Sequence, residues 1–289
     1  MSLVKIEKNT QRVFSKIHYN QYNSKRIFKR LTALLSYEFF GVKKNFFRDK
    51  VCLDAASGLN LNATLNLLQM GAKYVYACDI NKKLKKIKIN EFKKFKQKYE
   101  TKIANLKSLP YQDNFFDFVH CAGAIHHTTN YKKSINELCR VTKQGGYIYI
   151  EAYGSGGFVR EMTSYLRRKV KKEKAFKQFI ENLNKKKIND FLNYLTSKKH
   201  KDIISDLFDD DLVLTIKDRL LSPLYEEFSD KDIKKILKKN GFIQIKRLKR
   251  KPYFHNIRKY LVKPYYNFNH KYAKKLYGSG MPCIFAKKK

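Results

Sequence analysis

Val51-Cys52-Leu53-Asp54-Ala55-Ala56-Ser57-Gly58 decides the reading of this chain. The 51–54 run is apolar and too short for a helix, so it reads as a buried strand. The small residues after it allow a tight turn and a close approach of the backbone to a ligand. Leu61, Leu65 and Leu68 recur at helical spacing and predict a helix over 60–70, with Gly71 as a left-handed stop. Tyr74-Val75-Tyr76-Ala77-Cys78-Asp79 follows as a second strand that ends in an acid, 79 − 58 = 21 residues after Gly58. Strand, small-residue turn, helix and acid-terminated strand is how an open α/β sheet builds a nucleoside crevice. The helix N-terminus favours a carboxylate or phosphate, and the acid is placed to accept from both ribose hydroxyls.

Working outward, the alternation continues. A long basic helix is expected over 81–100, with Leu84, Ile87, Phe92, Phe95 and Tyr99 as its apolar stripe. Strands are expected at 103–106 and 118–121, a helix at 131–142, a turn at Gly145-Gly146 and a strand at 147–152. That order predicts a parallel sheet with helices on both faces. Upstream, 4–47 reads as an amphipathic helical cap across the mouth of the sheet, with Ile17, Ile27, Leu31, Leu34, Leu35 and Phe39 inward. Past Gly154 the alternation stops, and 158–217 reads as a charged helical insertion or lid. It resumes at Ser229-Asp230-Lys231-Asp232, an N-cap with acids in the first turn. A helix to 239, strands at 242–248 and 281–286, and a basic aromatic stretch between them complete the chain. The expected units are a cap at 1–47, a core at 48–153, a lid at 154–222, and the rest of the sheet at 223–289 with a basic aromatic insertion at 249–280.

Sixty-three Lys and Arg face 25 Asp and Glu, a formal charge of +38 over 289 residues. The wealth of Lys, Asn, Ile, Tyr and Phe resembles A- and T-rich coding. Such a bias would raise the acids too, so part of the excess is real. It implies attraction to an anionic ligand, a lipid surface or nucleic acid, with Arg247, Arg250 and Arg258 among the candidate contacts. No apolar stretch approaches the roughly 20 residues of a membrane-spanning helix, and no signal pattern opens the chain, so a cytoplasmic protein is expected. Cys52, Cys78, Cys121, Cys139 and Cys283 form no CxxC pair and no metal spacing.

Four further stretches complete a pattern: Leu109-Pro110-Tyr111, Phe116-Asp117-Phe118-Val119, Ile125-His126-His127, and Glu137-Leu138-Cys139-Arg140-Val141 with Gly145-Gly146. Together with 51–58 they resemble the motifs of class I S-adenosylmethionine-dependent methyltransferases. Nearest in pattern are the small-molecule enzymes of ubiquinone and menaquinone biosynthesis. The resemblance spans 51–152, and more weakly 229–248 and 281–286. It implies a Rossmann-like seven-stranded sheet, mostly parallel, with the last strand antiparallel. It also implies S-adenosyl-L-methionine as cofactor and a small-molecule or metabolite-like acceptor, for which the charge excess leaves an anionic class open. Asp54 and the Ala56-Ser57-Gly58 backbone would face the methionine part, Asp79 the ribose and Ile80 the adenine. Asn105 and Leu106 would flank the adenine edge, and Cys121, Ala122 and Gly123 would lie near the sulfonium. The family's usual glycines are Ala56 and Asn60 here, and its usual acid beside the adenine is Asn105.

A base is needed only where the acceptor must lose a proton. His126, His127 and Glu151 lie near expected strand ends and are the catalytic candidates. Tyr153 joins Glu151 as an acceptor-side candidate, and Arg160, Arg167 and Arg168 are candidates for an anionic pocket. Two other functions stay open: a nucleic-acid methyltransferase, and a non-catalytic binding protein of methyltransferase shape.

Overall fold

The computed structural model describes residues 3–17, 35–195, 210–249 and 271–289. Seven strands form one sheet: β1 (Val51–Ala55), β2 (Tyr74–Asp79), β3 (Tyr99–Ile103), β4 (Phe116–Ala122), β5 (Thr142–Glu151), β6 (Phe242–Arg247) and β7 (Cys283–Lys288). Their spatial order is β3-β2-β1-β4-β5-β7-β6. β1 to β5 pair in parallel, and β7 runs antiparallel to both β5 and β6. This is the Rossmann-like sheet expected from the sequence, with its reversed last strand. From β1 the chain winds outward through β2 and β3, then returns to the other side of β1 as β4. The reversal opens a crevice at the carboxyl ends of β1 and β4.

The described helices are α1 (Leu3–Ile17), α2 (Tyr37–Phe40), α3 (Asn62–Gln69), α4 (Tyr131–Val141), α5 (Phe158–Lys172), α6 (Lys174–Glu181), α7 (Lys185–Leu195), α8 (Asp210–Leu221), α9 (Asp230–Lys239) and α10 (Lys271–Tyr277). Both sheet faces are covered. Leu53, Val119, Cys121, Ile148 and Ile150 pack on one side with Ile135 and Leu138 of α4 and Ile233 and Leu237 of α9. Cys52, Phe118, Tyr149 and Phe285 pack on the other with Leu65 and Leu68 of α3.

The expected cap divides in two. Phe40 and Phe47 are fully buried against Phe118, and Phe40 also against Tyr149, so 35–50 belongs to the core. Burial of each ring contributes roughly 1.5–3 kcal/mol. Among the described residues of the expected cap, α1 crosses the mouth. Ile27, Leu31, Leu34, Arg250 and Arg258 lie outside the described residues.

The 81–100 segment is not one helix. It forms two short 3-10 turns, Lys82–Lys86 and Asn90–Phe95, pinned by buried Leu84 and Phe92. Lysines recur at i, i+3 and i+4 and repel one another on an α-helix, and Ile87 and Ile89 are β-branched. β3 therefore starts at Tyr99 rather than at 103, leaving Asn105 and Leu106 in the loop beyond it. The Gly145-Gly146 turn lies within β5, where the β4 pairing jumps from Phe116↔Thr142 to Phe118↔Tyr147.

Two sequence motifs meet in a clasp. Arg140 donates to Glu137 and Asp113 and to the carbonyls of Leu109 and Tyr111, while Glu137 accepts from the Leu109 amide at 2.8 Å. Arg140 first, and the Leu109 amide with it, hold the Glu137 carboxyl below its ordinary range. A second junction is backbone on backbone. A Cβ on Gly157 would fall 2.3 Å from the Gly278 nitrogen, so α5 can start against the 277–280 turn only because both positions lack side chains.

Candidate active site

A cavity of about 400 Å³ occupies the crevice at the carboxyl edge. Ligand cavities commonly measure about 300–1,000 Å³. One end lies at β1 and β2. Ala56 (φ 59) and Gly58 (φ 63) both take left-handed backbone, which folds the 55–58 turn back on the strand. The Ser57 amide donates to the Cys78 carbonyl at 2.9 Å. The Gly58 amide donates to Asp79 Oδ2 at 3.0 Å, and the Asn81 amide donates to Oδ1 at 2.8 Å. Two backbone amides thus hold the carboxylate at the rim, beside the turn. Ile80, 38% exposed, lines the cavity with Ala104, Asn105 and Leu106. Asn105 Oδ1 accepts from the Lys107 amide at 3.0 Å.

Asp54 lies deeper. Oδ2 accepts from the Thr64 amide at 2.9 Å and the Thr64 hydroxyl at 2.7 Å, tying β1 to the first turn of α3. Oδ1 stands 3.1 Å from His120 Nδ1. The register explains the contact: Asp54 is opposite His120 on β4, and His120 is opposite Tyr149 on β5. The His120 and Tyr149 rings stack at 5.3 Å. One step nearer the edge, Ala122 is opposite Glu151, which accepts from the Tyr149 hydroxyl at 2.9 Å.

The far end is closed by α1 and α8. Glu7, Thr10, Gln11 and Phe14 of α1 line the cavity, with Asp218 of α8. Glu7 reaches Lys107 and Thr129 across the mouth, and Gln11 Nε2 donates to the Ile80 carbonyl at 2.6 Å. Burial raises the Glu7 pKa, but the bonds from Lys107, Thr129 and Asn105 outweigh it and leave the carboxyl below its ordinary value. Phe14 packs on His127 at 4.6 Å.

The expected residues divide accordingly. Asp54, Ala56, Ser57, Gly58, Asp79, Ile80, Asn105, Leu106, Ala122, Gly123, His127 and Glu151 all line the one cavity. Cys121 does not: side chains alternate along β4, and its thiol is fully buried on the opposite sheet face. Burial first, then Cys78 and the Asp54 and Asp79 carboxylates, push that thiol far up. His126 is also excluded. It is fully buried, stacked on Tyr153 at 3.8 Å, with Nδ1 accepting from the Tyr153 amide at 3.3 Å. Burial, and then His127, hold its pKa well below that of an ordinary imidazole. Tyr153 likewise stays behind the wall, its hydroxyl donating to Asp218 at 2.5 Å.

Arg160 and Arg167 form no anion pocket. Both are buried, and they donate to Tyr225, to the Gly280 carbonyl and to the carbonyls of Arg219 and Ser222. Arg168 is exposed on α5. Leu61 (φ 50) takes left-handed backbone just before α3. Sequence reading missed His120. Its signal was present: an imidazole inside a mostly apolar strand, facing the same side as Phe118 and Ala122. Among the described residues no cluster of His, Cys, Asp or Glu would hold a metal ion.

Residues 53–150 match the family model described as a methyltransferase domain. An uncharacterized protein of Methanocaldococcus jannaschii is 31% identical over 135 residues, which is 47% of this chain and 52% of that protein. The demethylmenaquinone methyltransferase of Anoxybacillus flavithermus is 29% identical over 147 residues, 49% of this chain and 61% of that enzyme. The matched segment thus spans between half and two thirds of these curated relatives. Among solved structures, the fold resembles Burkholderia thailandensis 1,6-didemethyltoxoflavin-N1-methyltransferase bound to 1,6-didemethyltoxoflavin and S-adenosylhomocysteine. That likeness has a TM-score of 0.52 at 13% identity and covers 100% of this chain and 91% of that one.

Proposed function

We infer, from a chain whose residues 53–150 are a class I S-adenosylmethionine-dependent methyltransferase domain, that the crevice transfers a methyl group to a small neutral acceptor such as a hydroquinone. The observation that carries this reading is the Asp79 carboxylate, held by the Gly58 and Asn81 amides at the rim of the cavity. An acid so placed accepts from ribose hydroxyls. A Cβ on Gly58 would meet nothing within 4 Å, so the turn opens onto space for a ligand. Ile80 and Leu106 offer apolar surface to an adenine, and Asn105 offers an amide to its edge. Asp54, Ala56 and Ser57 would face the methionine part, with Ala122 and Gly123 toward the sulfonium.

The cofactor brings a methyl group already activated as a sulfonium. The residues of this chain supply position and exclude water: α1 spans the mouth through Glu7, and Phe14 covers His127. His127 and Glu151 border the acceptor side. The described lining of the whole cavity contains Glu7, Asp54, Asp79, Glu151 and Asp218 but no Lys or Arg, which favours a neutral acceptor over an anionic one. The same lining disfavours nucleic acid in the cavity, whose phosphates seek cations. The relative named for demethylmenaquinone makes a quinol the first acceptor to try.

The test is methyl transfer from tritium-labelled S-adenosylmethionine to reduced demethylmenaquinone, with RNA in parallel. Label in the quinol supports the reading. Label in RNA alone moves the acceptor to nucleic acid, and failure to bind S-adenosylhomocysteine returns the chain to a non-catalytic binder.

A further inference from the structure

We propose that Asp54 and His120 form the proton-accepting pair of this site; the proposal rests on the methyltransferase reading above. Three observations carry it. His120 lines the cavity with a side chain only 6% exposed. Its Nδ1 faces Asp54 Oδ1 at 3.1 Å, and Asp54 is itself fixed by two bonds from Thr64. Its Nε2 is buried and has no hydrogen-bond partner among the described residues.

A carboxylate only accepts, so the Asp54 contact puts the ring hydrogen on Nδ1 and the lone pair on Nε2. A buried nitrogen without a partner costs free energy and calls for an explanation. A carboxylate orienting an imidazole from behind, with the other nitrogen left to a ligand, is the arrangement a general base requires. Asp54 on β1 and Tyr149 on β5 flank the ring, and the Tyr149 hydroxyl donates to Glu151.

His127, the other imidazole of the cavity, is held differently. Its Nδ1 donates to the Leu224 carbonyl at 2.8 Å and meets Ser222 Oγ at 3.0 Å, and its Nε2 faces Asp218 at 3.7 Å. Its polar edges are spent on docking the 218–224 segment.

In the proposed step an acceptor O–H or acidic C–H gives its proton to His120 Nε2. The electron pair so released forms the bond to the methyl carbon, and sulfur keeps the pair of the broken C–S bond. The products are methylated acceptor, S-adenosylhomocysteine and an imidazolium beside the Asp54 carboxylate.

The test has two parts. Nitrogen-15 spectra of the wild-type protein with S-adenosylhomocysteine, with the His120 signal identified by its loss in His120→Asn, read the tautomer. The expected form carries hydrogen on Nδ1 and a bare Nε2; hydrogen on Nε2 overturns the proposal. Transfer to reduced demethylmenaquinone, hydroquinone and catechol is then compared across His120→Asn, His127→Asn and wild type. A base contributes about 10²–10⁴-fold. His120→Asn is therefore expected to lose about 100-fold or more in turnover while binding S-adenosylhomocysteine within about twofold of wild type. Undiminished transfer, a tenfold or greater loss of S-adenosylhomocysteine affinity, or a loss confined to His127→Asn overturns the pair and leaves the methyltransferase reading standing. A wild type that neither binds S-adenosylhomocysteine nor methylates any of the three acceptors sinks that reading and the pair together.

Discussion

The two ends of the cavity are built by different means. At β1 and β2, the turn and the acid that shape the crevice lie within the segment from Asp54 to Asn81, with Ala104, Asn105 and Leu106 completing the wall, and the geometry comes from backbone: a left-handed turn, two amides and one acid. At β4 and β5, the wall is assembled from α1, the strand interiors, the 125–128 turn and α8, whose residues are far apart in sequence. The first end is fixed by local chemistry. The second exists only once the tertiary fold is made, so changes there should alter acceptor use while leaving the adenosyl end intact.

Gly58→Val should break this separation most severely. The residue sits at φ 63 and faces open cavity, so a β-branched side chain would strain the turn and fill the site together. Loss of S-adenosylhomocysteine binding by about 100-fold or more is expected in calorimetry, with the far-ultraviolet spectrum retained. Binding within a few-fold of wild type would show that the turn does not face the ligand.

Glu151→Gln should act only at the other end. It keeps a partner for the Tyr149 hydroxyl but removes a charge from the acceptor side. Methyl transfer should fall about tenfold with cofactor affinity unchanged. Equal losses in both would erase the division between the ends.

Glu7 links the two ends. Its folded pKa lies below the ordinary carboxylate value, so the α1 clasp is at full strength above about pH 4.3 and weakens as pH falls through the lower folded value. The protection of the α1 amides, measured against their intrinsic exchange rate at each pH, should therefore fall at acid pH in the wild type, and already be lower at neutral pH in Glu7→Gln. His126 has the same sign for a different reason. A buried imidazole with a lowered pKa opposes folding once the unfolded chain takes up its proton, so stability should decline below about pH 6.5. His126→Gln should flatten that decline in a denaturant titration.

The smallest effect is Ala56→Gly. An alanine at φ 59 costs roughly 1–2 kcal/mol relative to a residue without a Cβ, less the greater freedom glycine has when unfolded. A stabilisation of about 0.5–1 kcal/mol is expected from urea unfolding, with cofactor affinity slightly improved or unchanged.

The same contrast governs how much was legible in the sequence. The strand–turn–helix–strand unit could be read because its signals are contiguous: the 51–54 run, the small turn and Asp79. The capping box of α9 was legible for the same reason, with Ser229 and Asp232 three residues apart. The 81–100 segment misleads because its apolar stripe has helical spacing while its lysines repel one another on a helix. Cys121 misled through a strand-end assignment that ignored which face its side chain takes. His126 and His127 read alike as neighbours, yet one turn of 3-10 backbone buries the first and sets the second in the cavity wall. His120 became visible only when the pairing of β1 with β4 set it opposite Asp54. Register is a property of the folded sheet, and no local pattern carries it.

The central claim is that Asp79 grips an adenosyl group at the carboxyl edge. Its most direct test is calorimetric titration of S-adenosylhomocysteine into the wild type and Asp79→Asn, which keeps size and polarity while removing the charge. One site is predicted in the wild type, with affinity about 100-fold weaker in the variant, as expected for losing two hydrogen bonds to a charged acceptor. Equal affinity in the two proteins, or no binding to the wild type, would contradict it.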